Sequence, residues 1–261
     1  MPNTINVMYM KLSSNNSVSS LKLISLNIEK RSHFDRIIPF LKKERPDIVC
    51  LQELCEPDIE LFKKELGMEG VFAPMAQCAV PEEYSEPLLW GLGLLSKHPL
   101  QNVTRSYYYG APDRLVSRQS PYDNETINRL LFLATIAKGE KLFTVGTTHS
   151  TRTPAGDADE RQRRDLATLL NVLEDIPEIV FCGDFNAPRG GEIFSQIAAE
   201  YRDCIPPQYS TSIDGALHRK GALQLMVDGL FATPHYDTRN TRLTCGVSDH
   251  CAVVSEIYPV R

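Results

Sequence analysis

The 261-residue sequence predicts an α/β sandwich built on mixed β-sheets. Short apolar runs of strand length alternate with stretches of helical spacing along the whole chain. Too many of the connections are hairpin-length for a purely parallel sheet. No repeat of fixed period and no linker divides the chain, so residues 21–261 read as one domain behind a flexible leader, residues 1–20.

The elements follow in order. Leu21 to Asn27 alternates with period two, putting Leu21, Leu23, Ser25 and Asn27 on one face of a first strand. Ser32 to Glu44 has helical spacing in Ile37, Phe40 and Leu41, and Pro46-Asp47 ends it. Asp47 to Glu53 is a buried strand with a carboxylate at its exit. Residues 57–66 form an amphipathic helix closed by Gly67. A short strand is expected near Val71 to Ala73, a loop over residues 76–88, then strands at Trp90 to Ser96 and Val103 to Tyr109. Pro112 to Glu125 reads as a long polar loop. Asn128 to Ala137 and Lys141 to Thr148 read as a hairpin around Lys138-Gly-Glu, ended by His149. Asp157 to Leu173 carries the clearest apolar stripe, Leu166, Leu169, Leu170 and Leu173, with acids in its first turn where the helix dipole favours them. Ile179 to Cys182 is a short buried strand broken by Gly183, and Gly191 to Ala199 a short helix. Leu223 to Phe231 is a strand with Asp228 inside it. Arg239 to Thr244 and Cys251 to Tyr258 are the last strands, separated by Gly246-Val-Ser-Asp-His250.

Composition excludes some classes. A hydrophobic content of 42% is ample for a core, and a net charge of −5 sets up no global field for nucleic acid or anionic lipid, leaving a local basic patch as the electrostatic route. No apolar run approaches the ~18 residues of a membrane span. The polar start lacks the apolar stretch of a signal peptide. Seven cysteines are scattered with no Cys-x-x-Cys pair, and Cys50, Cys182 and Cys251 sit among apolar residues, where a thiol acts as a small hydrophobe. The odd count and the absence of an export signal point to a reducing cytoplasm.

Polar residues recur where buried strands end: Asn27, Glu53, His149, Asp184, Asn186, Asp249 and His250, with Asp228 in addition. An acid and an amide at such a place are costly to pack without a partner, and active sites are commonly built there. The carboxylates among them repel one another at a shared rim unless a cation lies between them. Oxygen donors without cysteine point to Mg²⁺ or Mn²⁺ rather than zinc.

Leu26-Asn27, Leu51-Gln-Glu53, Thr148-His149, Gly183-Asp-Phe-Asn186, Val227-Asp228 and Ser248-Asp-His250 stand in the order typical of the endonuclease/exonuclease/phosphatase superfamily, which this chain resembles over residues 21–258. The resemblance implies a four-layer α/β sandwich, two mixed sheets face to face with helices outside, and metal-dependent hydrolysis of a phosphate ester. It implies Glu53 as principal metal ligand, with Asp249 and Glu29 near the ion. Asn27 would touch metal or phosphate. Asp184 would orient or deprotonate the attacking water, held by Asn186. His250 would contact the scissile phosphate with Asp228 behind it, and His149 would assist at the phosphate or leaving group.

The partner expected is a phosphate-ester substrate, with nucleic acid among the candidates; no protein partner is inferable. A nuclease-type phosphodiesterase leads, followed by a hydrolase of small or lipid-linked phosphate esters; a non-catalytic scaffold is the reading from another class. Arg152 is the arginine expected to bind substrate. Arg114, Arg118, Arg129 and Arg189 are further candidates, whereas Arg161 to Arg164 read as a solvated helix face. Tyr107 to Tyr109 are candidates for stacking, in competition with burial on an alternating strand.

Overall fold

The structure, a computed structural model, describes residues 19–78, 88–118 and 127–260. The chain runs β1 (Leu21–Asn27), α1 (Phe34–Glu44), β2 (Ile48–Cys55), α2 (Asp58–Leu66), β3 (Glu69–Cys78), β4 (Leu88–Ser96) and β5 (Leu100–Tyr109). It continues through β6 (Ser117–Arg118), β7 (Arg129–Lys138), β8 (Lys141–His149), α3 (Glu160–Glu174), β9 (Val180–Asp184) and α4 (Glu192–Glu200). The last strands are β10 (Arg202–Asp203), β11 (Asp228–Ala232), β12 (Tyr236–Thr244) and β13 (Ala252–Pro259).

The strands form a seven-stranded sheet, ordered β12-β13-β1-β2-β4-β3-β6, and a six-stranded sheet, ordered β10-β11-β9-β8-β7-β5. Both are mixed: β1–β2, β3–β6 and β8–β9 are parallel, the other pairs antiparallel. Alternation along the strands decides the layers. Leu23, Cys50 and Leu94 of the first sheet meet Phe132, Val145 and Cys182 of the second in the central core. Their neighbours Ile24, Val49 and Leu95 point the other way, onto Ile37 and Leu41 of α1 and Phe62 of α2. On the far side, Leu131, Phe181 and Phe231 pack on Leu166, Leu169 and Leu173 of α3 and on Phe194 and Ile197 of α4. The result is the four-layer sandwich of two mixed sheets between outer helices.

Several boundaries differ from those expected, each for a local reason. Gly183 does not break its strand. It is the fourth residue of β9 at φ 146°, and a Cβ there would lie 1.9 Å from the Thr148 carbonyl oxygen, so the close approach of β8 requires glycine. Likewise β2 does not end at Glu53 but runs on to Cys55 across a register shift between Gln52 and Leu54. Asp228 opens β11 rather than lying inside a strand from Leu223. The backbone of Leu225, Met226 and Val227 accepts instead from Ser212, Arg189 and Phe185, so these residues join loops. Helix α3 starts at Glu160, and Asp159 caps it by accepting from the Gln162 N–H at 2.8 Å; Asp157 lies outside. The strand expected at Val71 to Ala73 is longer, Glu69 to Cys78. The loop expected over residues 76–88 is strand at both ends, with residues 79–87 outside the described residues; β6 interrupts the loop expected over 112–125, of which 119–125 lie outside. Most of the leader, residues 1–18, also lies outside them.

Cys251 is not a free apolar thiol: it is joined to Cys245 in a disulfide across the loop that carries Asp249 and His250. The other five cysteines are buried and outside any disulfide among the described residues. The bridge removes the cysteine ground for expecting a reducing compartment. No helix among the described residues is long and apolar enough to cross a membrane.

Candidate active site

Three neighbouring strands of the six-stranded sheet bring their polar ends into one line. His149 and Asp184 are the last residues of β8 and β9 and are cross-strand partners; Asp228, first residue of the antiparallel β11, is partnered to Asp184 on the other side. Register alone therefore places His149, Asp184 and Asp228 side by side, and one carboxylate carries most of the contacts. Asp184 Oδ1 accepts the Asn186 N–H at 2.8 Å, the hydrogen bond of an Asx turn. Its Oδ2 accepts from Asn27 Nδ2 at 3.2 Å and lies 3.4 Å from His149 Nε2 and 3.9 Å from His250 Nε2. The Asx turn thus occupies one oxygen and leaves the other in the site. Asn186, at φ 49°, donates through Nδ2 to the Ser150 carbonyl oxygen at 3.1 Å.

The seven-stranded sheet supplies the facing side. Asn27 ends β1 and reaches across to Asp184, while its own Oδ1 accepts the Glu29 N–H at 3.1 Å. Its register partner Gln52, fully buried, bonds Thr147 Oγ1 of the other sheet at 2.9 Å. These two amides tie the sheets together at the site. Glu53 sits on the β2 irregularity at φ 64°, a conformation non-glycine residues rarely hold and one that re-aims a side chain out of a ladder. Glu29 follows at φ 44° in the turn after β1.

His250 stands just before β13. Its Nδ1 lies 2.7 Å from Asp228 Oδ2, both side chains are buried, and its backbone forms an isolated bridge with Ile213. Burial alone would lower the His250 pKa, but Asp228 and Asp184 beside it hold the imidazole well above its ordinary value, as a cation. Burial pushes Asp184 up to about 6, against the pull of the His250 cation and with added repulsion from Asp228. Asp249 is also pushed up to about 6, by burial first and then by Glu29 and Glu53, with His250 opposing.

Asn27, Glu29, Glu53, His149, Arg152, Asp184, Asn186, Asp249 and His250 all line one cleft, with a volume of about 430 Å³. Asp228 is the one expected site residue that does not line it; it stands behind His250. The Endonuclease/Exonuclease/phosphatase family model matches residues 24–250, from β1 through His250. The chain belongs to that family. A search of curated protein sequences finds no match. Among solved structures, an endonuclease/exonuclease/phosphatase from Beutenbergia cavernae is 18% identical, with a TM-score of 0.70 over 92% of this chain and 72% of the other. Zebrafish (D. rerio) TDP2, solved with a single-strand DNA product, is 15% identical, TM-score 0.65, over 92% and 99%. A mannosyl-6-phosphatase from Bacteroides thetaiotaomicron is 11% identical, TM-score 0.67, over 91% and 99%. At these identities the likeness is one of fold.

Members of the endonuclease/exonuclease/phosphatase family typically use divalent metals, and the donor set here fits one. Donor atoms of Glu29, His33 and Asp249 lie within 4.8 Å of one another, and Glu53 is near enough to raise the Asp249 pKa. Glu53, the expected principal ligand, is not in that group; the two acids that are, Glu29 and Asp249, repel each other without a cation between them. His33 went unread in the sequence. It lies 3.1 Å from Glu29 Oε2, four residues on, and the Glu-x-x-x-His spacing was its one signal.

Other site residues were also invisible beforehand. Trp90, buried on β4, lies 5.5 Å from the His149 ring, centroid to centroid. His218, Arg219 and Lys220 line the cleft from a loop with no periodicity to flag it. Conversely, several candidates are used elsewhere. Arg189 is paired to Asp203 and bonded to the Ile205 carbonyl oxygen. Arg161, Arg163 and Arg164 are paired to Asp159, Glu192 and Asp165, as a solvated helix face should be. Arg129 lines the cleft from a buried position and donates to the His149 carbonyl oxygen at 2.9 Å. Arg114 is exposed and is not part of the lining. None of the three tyrosines lines the cleft: Tyr108 is buried with its hydroxyl 2.8 Å from Thr148 Oγ1, and Tyr109 lies under Arg164.

Proposed function

We propose that this protein hydrolyses a phosphate ester by in-line attack of water on phosphorus, with a nuclease-type phosphodiester as the leading substrate. The observation that carries this reading is Asp184. It is a buried carboxylate with a raised pKa of about 6, and one oxygen is met by Asn27, His149 and His250 in a cleft. A carboxylate poised near neutrality is suited to take the proton of a water.

In this reading Asn186 fixes the Asp184 carboxylate through its backbone N–H. His250, held cationic by Asp228, donates to a non-bridging phosphoryl oxygen and neutralises the charge that grows there. His149 donates to the phosphate or leaving group, Asn27 binds a phosphoryl oxygen, and Arg152 binds the substrate beside it. Glu53, Asp249 and Glu29, with His33 beside them, would hold Mg²⁺ or Mn²⁺, which supplies Lewis-acid stabilisation of charge on phosphorus-bound oxygen. A second reading, phosphatase action on a small phosphate ester, is favoured by the cleft's volume of about 430 Å³, which suits a small ligand.

The test is hydrolysis of bis-p-nitrophenyl phosphate, a single-stranded oligonucleotide and a sugar phosphate with Mg²⁺ or Mn²⁺. Turnover that EDTA abolishes and metal restores is expected on at least one of them. Metal-independent turnover, or none on any phosphate ester, contradicts the proposal.

A further inference from the structure

Two groups of cations differ in what they meet. Arg161, Arg163, Arg164 and Arg189 each spend their charge on a carboxylate. Lys30, Arg152, Arg219 and Lys220 line the cleft, and none has an ion pair among the described residues. What sets these four apart is that they share one cleft, beside a cluster of acids, in a chain with a net charge of −5.

Two of them stand on a turn that is built rather than loose. Buried Asp214 accepts the N–H groups of Ala216 at 2.9 Å and Leu217 at 3.2 Å through Oδ1, and that of Gly246 at 2.5 Å through Oδ2. The Asp214 N–H donates to the Asp249 carbonyl oxygen at 2.9 Å, and the Cys251 N–H donates to Ser212 at 2.7 Å. The His218 N–H returns to the Asp214 carbonyl oxygen, and Gly221 at φ 72° closes the turn. Residues 212–221 are therefore fastened on both sides of the loop that carries Asp249 and His250. Cations held so lose less freedom on meeting an anion than surface lysines do. A single phosphoryl group is fully served by the residues around Asp184 and His250, which leaves these charges over.

We propose that the turn His218–Lys220, together with Arg152, forms a second anion site that selects substrates bearing a further phosphate beside the scissile one. The proposal rests on the reading of the cleft as a phosphoester site and specifies its substrate class. Guanidinium and ammonium groups match phosphate oxygens in charge-assisted hydrogen bonds. The further phosphate belongs either to a small bisphosphate or to the next linkage of a strand.

The experiment measures binding, so it does not depend on turnover. Titration calorimetry with the Asp184→Asn variant compares adenosine 5′-monophosphate with adenosine 3′,5′-bisphosphate, and a dithymidylate carrying one phosphate with a trithymidylate carrying two. In at least one pair the two-phosphate ligand should bind about tenfold or more tighter. Adding Arg219→Ala and Lys220→Ala should bring that ratio to within about twofold. Preference in the adenosine pair assigns a small bisphosphate, and in the thymidylate pair a strand. No preference in either pair overturns the proposal, as does a ratio that survives the double substitution. Removing two distant charges, Lys42→Ala with Lys43→Ala, should leave the ratio in place; an equal collapse there would mean a general field and would also overturn it. Should the wild-type protein hydrolyse nothing, the function proposed above fails while the binding ratios still report on the turn.

Discussion

On the floor of the cleft, His149 and Asp184 stand at adjoining strand ends, with Asp228 on the next strand behind His250, all three buried and in contact with side-chain partners. On its rim, Lys30, Arg152, Arg219 and Lys220 stand on loops, with no ion pair among the described residues. Sheet register sets the floor, so its geometry follows from the same alternation that packs the core. Loop bonds to the Asp249–Cys251 segment set part of the rim, and its charges line the cleft. In the proposed function the difference separates chemistry from selection: a buried set would act on phosphorus, and a loop-borne set would meet the rest of the substrate.

The floor is where substitution should cost most. Asp184→Asn should lower kcat about a thousandfold with an unchanged circular dichroism spectrum; a loss under about tenfold would remove the residue from the proton transfer. The same variant should separate function from stability. The folded pKa of about 6 lies above the ordinary value, so ionised Asp184 opposes folding at neutral pH, a penalty relieved as pH falls through 6. In EDTA the Asn variant should therefore resist urea better than wild type at pH 8, with the gap narrowing towards pH 4.

Asp228→Ala removes the anion that His250 faces at 2.7 Å and should cost about 3 kcal/mol of stability at pH 6–7. The raised His250 pKa fixes the sign. Its contribution is complete below the unfolded value and is lost as pH rises through the folded one, so the deficit of the variant should shrink at alkaline pH. An unchanged melting temperature would refute burial of the pair. A smaller effect is expected in the pH–rate profile, where kcat should fall about tenfold per pH unit below an inflection near 6. His33→Gln should weaken Mn²⁺ binding severalfold, read by electron paramagnetic resonance. At the bottom of the series, Arg163→Ala breaks an exposed pair with Glu192 and should leave turnover unchanged.

The floor was legible in the sequence because it obeys strand alternation: an apolar run that ends on Asn27, His149 or Asp184 announces itself. The mixed-sheet sandwich was legible for the same reason, through the apolar stripe of α3 and the period-two runs, while its four layers came from the family resemblance. The rim was not. Arg219 and Lys220 belong to a turn whose conformation depends on Asp214 accepting from Gly246, a contact spanning 32 residues. His33 falls inside the segment Ser32 to Glu44, whose helical spacing does not single it out. Asp228 was recognised but put mid-strand, because an apolar run from Leu223 looks the same whether its backbone joins a ladder or bonds neighbouring loops. Gly183 was taken for a breaker because the carbonyl that excludes a side chain there comes from β8. The Cys245–Cys251 bridge lay outside any Cys-x-x-Cys signal.

One measurement bears most directly on whether these separate segments form a single ion-holding, phosphate-facing mouth. Mn²⁺ binding to wild-type protein and to Glu53→Gln can be followed by electron paramagnetic resonance, each alone and with adenosine 5′-monophosphate added. Saturable binding to wild type, weakened about tenfold or more in the variant and tightened by the nucleotide in wild type, is the predicted result. Equal affinity in the two proteins, or no response to the nucleotide, would contradict the account.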